Sequence, residues 1–233
     1  MNLKFHQVVG KSEAHDAESK GNEIYSNNND CPDYAPYVSA LGNEVMKTGK
    51  HYVTFKRVGS SYVLPPAEEN VGVIRPIDLS KVDLKQGEEG QEAFLPFQER
   101  HYPSLADGNK TDGWGTGGKV DYCFLHPNTG WCFHGYWNDP SPPKSMSDNV
   151  LKEWPGKERF KMLDMSWAGP DHEHKGGEEC GLLLDLDEGT LSVYKSGKRL
   201  GVMMEGLTGE YCWFASVFGT GLRMERGIVP DDA

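Results

Sequence analysis

The sequence predicts an all-β protein, and three observations support that prediction. The chain of 233 residues contains 28 glycines and 14 prolines, which is the composition that many short turns require. Residues 181–201 (GLLLDLDEGTLSVYKSGKRLG) alternate apolar and polar side chains around two turns, a pattern typical of an antiparallel meander. Few stretches have helical character, and residues 149–154 would form one turn at most.

The first 43 residues are polar and include the low-complexity piece SNNND at 26–30. This composition is typical of a partly disordered arm. The same segment also carries apolar side chains that would allow it to pack on the rest of the domain. These side chains are Tyr34, Tyr37, Val38 and Leu41.

A strand is predicted from residue 51, because His51, Val53 and Phe55 share one face at period two. Two long connections follow. Residues 78–119 are acidic and glycine-rich, and residues 86–92 within them are too polar to hold a packed strand. Residues 136–160 contain four prolines, which interrupt regular structure. Loops of this length in a compact domain are usually functional or disordered.

The meander itself consists of three predicted strands. Leucines at alternate positions of 182–186 share one face, and the DEG sequence at 187–189 predicts a turn with glycine at a positive φ. Leu191 and Val193 then resume the inward face. The Ser-Gly pair at 196–197 predicts a two-residue hairpin turn whose tip is exposed.

Charge and hydropathy exclude several classes of function. The net charge of −11, from 24 basic and 35 acidic residues, argues against a protein that binds nucleic acid phosphates. The first 20 residues contain no apolar core of a signal peptide, and no apolar run approaches the length of a membrane span. We therefore expect an intracellular protein of the cytoplasm or nucleus that does not bind membranes.

Five cysteines are present, and no CxxC pair occurs among them. Cys123 and Cys132 flank a predicted turn at 126–130. If Leu125 pairs with Trp131 across that turn, the two sulfurs point to opposite faces of the sheet. This register predicts reduced, mostly buried thiols.

Residues with catalytic or metal-binding character are few. The HEH sequence at 172–174 places two imidazoles at i and i+2, but it lies between proline and glycines and fixes no third ligand. Asp185 and Asp187 resemble the carboxylate pair of a glycosidase, although a tight turn also needs such polar caps. Nucleophile-elbow, zinc-protease and phosphate-loop motifs do not occur. We expect no catalytic residue, metal or cofactor.

Five segments in order resemble the SPRY domain, the core of the B30.2 family. They are GKHYV at 49–53, VGVIRP at 71–76, GWCFHG at 130–135, the meander at 181–201, and GEYCWFASVFG at 209–219. The resemblance implies a bent β-sandwich of two antiparallel sheets with a concanavalin-like jelly-roll architecture and little helix. It also implies three parts: an N-terminal arm at 1–43, a SPRY domain at 44–227 and a tail at 228–233.

The family resemblance further implies a non-catalytic module that binds a protein or peptide through loops at one end of the sandwich. Arg75 follows the VGV strand, where a guanidinium would suit an acidic or carbonyl-rich peptide; a structural ion pair is the alternative. Phe218 and Gly219 match a Trp-Gly pair of the SOCS-box SPRY proteins, with the indole donor lost. Tyr122 would line the same pocket. Trp114 is either an exposed anchor or packed on the sheet.

Three functions remain in competition. The first is a monomeric interaction module, whose specificity would be set by loops 59–69, 84–119 and 136–160 and by the hairpin tip at 196–199. The second is a carbohydrate-binding or carbohydrate-cleaving sandwich, which predicts exposed aromatics and a carboxylate pair. The third is a structural or assembly subunit, which predicts a flat apolar outer face.

Overall fold

A computed structural model describes most of the chain in strands and short connections. The described residues are 3–10, 18–19, 21–26, 37–58, 68–82, 84–86, 91–92, 94–96, 105, 120–127, 130–137, 150–151, 154, 179–218 and 220–231. Among the helical residues within these ranges, Leu79–Lys81 form a short 3-10 turn. The strands, in chain order, are β1 (Phe5–Val9), β2 (Glu18–Ser19), β3 (Glu23–Tyr25), β4 (Val38–Gly42), β5 (Lys50–Val58), β6 (Glu68–Ile74), β7 (Lys85–Gln86), β8 (Gln91–Glu92), β9 (Tyr122–His126), β10 (Trp131–Gly135), β11 (Val150–Leu151), β12 (Cys180–Asp185), β13 (Thr190–Lys195), β14 (Lys198–Glu205), β15 (Cys212–Phe218) and β16 (Gly221–Arg226).

Two antiparallel sheets of seven strands each form the body of the molecule. Sheet 1 has the order β1-β4-β15-β6-β9-β10-β11, and sheet 2 has the order β14-β13-β12-β5-β16-β3-β2. The predicted all-β sandwich with little helix is confirmed by this topology. Strands from the first 43 residues occur in both sheets, β1 and β4 in sheet 1 and β2 and β3 in sheet 2.

The connections gather at the two ends of the strands, because neighbouring strands run in opposite directions. We call one end the Arg75 end; it carries the connections 43–49, 186–189 and 206–211. The other end, the Phe218 end, carries the turn 196–197 and the start of β6. The division matters because it decides which predicted site residues can meet.

The main core lies between the inner faces of the two sheets. Sheet 2 contributes the apolar residues that alternation predicted, including Val53, Phe55 and Leu182, and all three are buried. The predicted hairpin turn is also confirmed, since Ser196 and Gly197 have φ values of 47° and 78°. Positive φ at both central residues is the geometry that matches the twist of the flanking strands.

A second core covers the outer face of sheet 1. It is an aromatic-rich cluster of buried side chains from the sheet and from the connection that follows β6. Its members are Leu41, Ile74, Ile77, Leu79, Val82, Phe94, Leu105, Tyr122, Phe124, Phe133, Trp137 and Phe214. The described apolar residues of the long acidic connection therefore pack on sheet 1. This connection also contains a two-residue strand pair, β7 with β8, at the ends of the polar stretch 86–92, for which the sequence predicts no packed strand.

A bulge in β1 fixes the start of this connection. The pairing of β1 with β4 shifts register between His6 and Val9, and Gln7 there has a φ of 48°. The bulge turns the Gln7 carboxamide toward the connection. Its Nε2 donates to the Ile77 carbonyl at 3.0 Å, and its Oε1 accepts from the Leu79 amide at 2.7 Å.

The register of the β9–β10 hairpin corrects the sequence-based prediction for two cysteines. Trp131 pairs with His126 rather than with Leu125. The turn between the two strands is one residue shorter than predicted, because the Gly130 amide donates to the His126 carbonyl at 2.9 Å. Gly130 has a φ of 69°. Cys123 and Cys132 therefore share the inner face of sheet 1, and their Sγ atoms lie 3.5 Å apart.

Candidate interaction surface

Arg75 lies directly after β6 and is almost completely buried, with 1% of its surface exposed. Its Nε lies 3.2 Å from Oδ1 of Asp121, which precedes β9. Its Nη1 donates to the carbonyls of Thr208 and Glu210 in the β14–β15 connection. The guanidinium carbon lies 4.3 Å from the centre of the Tyr211 ring, a distance suited to a cation–π contact.

The partners of Arg75 are themselves tied into neighbouring segments. The second oxygen of Asp121 accepts from the Trp137 amide at 2.9 Å. The Tyr211 hydroxyl donates to the Val120 carbonyl at 2.6 Å, and burial raises the pKa of Tyr211, so the hydroxyl remains a donor. Of the two alternatives for Arg75, the geometry agrees with the structural ion pair.

Tyr122 is also buried, with no exposed surface. Its ring packs on Phe124 and Trp137, with ring centres 5.8 Å and 6.0 Å apart. Gly135 lies opposite, where a Cβ would come within 2.4 Å of the tyrosine hydroxyl. In this position Tyr122 is part of the second core rather than of an open pocket.

Phe218 lies at the opposite end of the sandwich from Arg75. In the antiparallel pairing of β15 with β6, Cys212 lies opposite Ile74 and Phe218 opposite Glu68. Cys212 and Phe218 are six residues apart along β15, which corresponds to about 20 Å. The structure therefore does not bring Phe218 together with Arg75 and Tyr122. Trp114 and Gly219 lie outside the described residues.

The surroundings of Phe218 combine aromatic and polar side chains. The half-buried Phe218 ring packs on Tyr37, with ring centres 5.0 Å apart. The next row of the ladder on the same face of sheet 1 places Ser216 between Ser39 and Asn70. Ser216 is fully buried, and its Oγ has no hydrogen-bond partner within the described part of the chain.

Trp131 completes this surface at the far side of the sheet. It faces outward on the same side as Phe133 and pairs with His126, which is 8% exposed. The indole is 42% exposed, which is unusual for so large an apolar side chain. We call the set Tyr37, Asn70, His126, Trp131, Ser216 and Phe218 the outer patch.

Sequence reasoning missed Trp131 as a functional candidate. Period-two alternation places it on the same face as Phe133, and that face is otherwise covered by the second core. Nothing in the local sequence distinguishes a covered position on this face from an uncovered one. The only available signal is that this tryptophan follows the turn glycine Gly130, so it lies at the end of a predicted strand, beside a turn.

The carboxylate pair at the first meander turn caps the backbone. Asp185 Oδ1 accepts from the amides of Asp187 and Glu188, each at 3.1 Å. Asp187 Oδ1 accepts from the Gly49 amide at 3.0 Å. Both acids therefore hold turns in place, as the alternative to a glycosidase pair predicted.

The described residues contain no cluster of three or more His, Cys, Asp or Glu side chains that could hold a metal ion. The HEH sequence at 172–174 lies outside those residues. In the same part of the chain no helix has the length and apolar character needed to cross a membrane.

Comparison with known proteins gives structural similarity without sequence relatives. No protein-family model matches the chain, and no curated protein matches it in sequence. The SPRY domain of human HERC1 is similar in structure, with 11% identity and a TM-score of 0.41 over 82% of this chain and 82% of that domain. The TRIM65 PSpry domain is similar with 11% identity and a TM-score of 0.45 over 97% and 93%. Both are SPRY domains, the family that the sequence motifs resemble.

Proposed function

We propose that this chain is a non-catalytic protein-interaction module that recognises a short peptide or partner surface through the outer patch at the Phe218 end. The observation that carries the proposal is the half-buried Phe218–Tyr37 pair, which lies on the same outer face of sheet 1 as the exposed Trp131. Partly covered aromatic side chains are common anchors in peptide-binding sites.

The exposed indole of Trp131 supports a binding role for the same face. Tryptophan is enriched among residues that contribute most to binding, because it buries a large area and loses few rotamers. A partner that covered Trp131 and Phe218 together would span three strand spacings, or about 14 Å. That distance suits a peptide lying across the strands of sheet 1.

The Arg75 end offers a different kind of surface. The charged side chains of Arg75 and Asp121 are buried there and form an ion pair with each other. Among the described residues, the large apolar side chains exposed at this end are the aliphatic Val45 and Ile228, at 42% and 93% exposure. They flank an exposed ion pair of Arg226 with Glu44, a contact that contributes little to binding or stability. This end therefore supplies control positions.

The proposal is tested by capture of binding proteins from a cell lysate with the full chain and its variants. Phe218→Ala and Trp131→Ala each remove an aromatic side chain of the outer patch. Val45→Ala and Ile228→Ala are matched controls, since they remove exposed apolar side chains at the other end. We expect a common set of captured proteins to fall at least about tenfold with both patch variants and to persist with both controls.

One check makes the result interpretable. Each variant must have an unfolding midpoint within the error of the wild-type value, so that loss of capture is not loss of folding. Retention of the same proteins by both patch variants, or their loss only with Val45→Ala and Ile228→Ala, would contradict the proposal.

A further inference from the structure

Two thiols lie in contact on the inner face of sheet 1. Cys123 on β9 and Cys132 on β10 are both completely buried, and their Sγ atoms are 3.5 Å apart. In the ladder, Cys123 lies opposite His134 and Cys132 lies opposite Leu125, so the two sulfurs meet diagonally across adjacent strands. A disulfide has an S–S distance of about 2.05 Å, so an approach of about 1.5 Å would form the bond.

We propose that Cys123 and Cys132 are an oxidisable pair that hydrogen peroxide converts to a disulfide within the β9–β10 hairpin. One sulfur attacks a peroxide oxygen, so that an S–O bond forms, the O–O bond breaks and water leaves. The second sulfur then attacks the resulting sulfenic sulfur, the S–O bond breaks, and a second water leaves. Two thiols are oxidised and one peroxide is reduced, with the thiol protons ending in water.

Two other described cysteines show that contact, and not burial, distinguishes the pair. Cys180 and Cys212 are also buried free thiols, and neither contacts a second thiol among the described residues. Burial raises the pKa of each to about 12, which makes both slow to react. A sulfenic acid formed at either position would have no neighbouring thiol from the described part of the chain with which to condense.

The pair is protected from oxidation while the hairpin is closed. Burial, followed by the hydrogen bond with Cys132, raises the pKa of Cys123, so little of the reactive thiolate is present. The half-buried His134 lies directly opposite Cys123 on the same face of sheet 1. We therefore expect oxidation to follow local opening of the sheet edge at β10 and β11, on a time scale slower than for an exposed thiol.

The test uses the full chain, folded and reduced, with hydrogen peroxide as the oxidant. After the remaining thiols are alkylated, trypsin releases both cysteines in one peptide, because no lysine or arginine lies between Lys119 and Lys144. We expect that peptide to lack two hydrogen atoms, to carry no alkyl group and to regain both thiols with dithiothreitol. The oxidised protein should unfold at a temperature about 5 °C higher, since the bond would restrict the unfolded chain between Cys123 and Cys132.

Variants separate this outcome from general oxidation. Cys123→Ala and Cys132→Ala should each abolish the internal bond, whereas Cys180→Ala should leave it unchanged. If either alanine variant fails to fold, the mass and the thiol content of the wild-type 120–144 peptide decide the test without that variant. Two alkylated cysteines in the 120–144 peptide, a bond from this peptide to another cysteine, or an oxidised form that unfolds at a lower temperature would each overturn the proposal.

Discussion

Arg75 connects three segments at the Arg75 end: the end of β6, the residue before β9 and the β14–β15 connection. A buried arginine is costly unless its hydrogen bonds and its charge are both satisfied. Here the Asp121 carboxylate supplies the charge, and two carbonyls of the β14–β15 connection accept further hydrogen bonds. The contact with Tyr211 covers one face of the guanidinium. The residue therefore holds β6, β9 and β15 together at their shared end.

This role leads to a stability prediction for Arg75→Met. The methionine keeps most of the volume but leaves Asp121 buried without its cation, so we expect the free energy of unfolding to fall by about 3–5 kcal/mol. Lys47→Met is the matched control, because Lys47 pairs with Glu210 at the surface, and its loss should cost less than about 1 kcal/mol. Urea unfolding measures both. A cost for Arg75→Met no larger than that of the control would contradict the cross-linking role.

The sequence could indicate both roles for Arg75 but could not choose between them. The choice depends on Asp121, which lies 46 residues further along the chain after a long connection. Only the pairing of β6 with β9 places the carboxylate beside the guanidinium. By contrast, the motif match at Phe218 depends only on the local sequence. The structure adds the contact of Phe218 with Tyr37.

At the scale of elements, regular alternation made the meander predictable. Its inward leucines, its two turns and its antiparallel pairing all follow from residues within 20 positions. The β9–β10 register was not predictable in the same way, because both registers fit the apolar pattern. The deciding contact is a single backbone hydrogen bond from Gly130 to His126. That shift of one residue is what brings the two thiols into contact.

The sequence predicts a loop after β6, because the apolar residues there are isolated within polar sequence. Phe94 has no apolar neighbours at strand or helix spacing on its N-terminal side, yet it is completely buried against Phe214, with ring centres 6.3 Å apart. The Phe94 carbonyl accepts from the Ser39 hydroxyl. Single anchors of this kind give no periodic signal, so only the tertiary contact reveals them.

We predict that Phe94→Ala destabilises the protein by about 3–5 kcal/mol, because it leaves a cavity in the second core. Leu84→Ala in the same connection is the control; Leu84 is only partly buried, so the expected loss is smaller. Urea unfolding gives the free energies, and limited proteolysis tests whether cleavage within residues 77–96 increases in the Phe94 variant. Equal stability of the two variants would mean that the connection does not support sheet 1.

At the scale of the molecule, the two ends of the sandwich have different characters. The Arg75 end is closed by a buried network, while the outer patch at the Phe218 end combines half-buried aromatics with polar groups. Family resemblance led to the expectation of a single site that included residues from both ends. It could not separate them, because a motif gives positions along a strand but not which end of the sheet each position reaches.

The net charge of −11 favours faster association with a basic partner at low salt.

The most direct test of the outer patch is site-specific photo-crosslinking in a cell lysate. Full chains carrying Trp131→p-benzoylphenylalanine or Val45→p-benzoylphenylalanine place the same reactive ring at positions with equal exposure at opposite ends of the sandwich. We expect a covalent adduct of defined mass at position 131, reduced by the additional change Phe218→Ala, and none at position 45. An adduct at position 45 with none at position 131 would contradict this expectation.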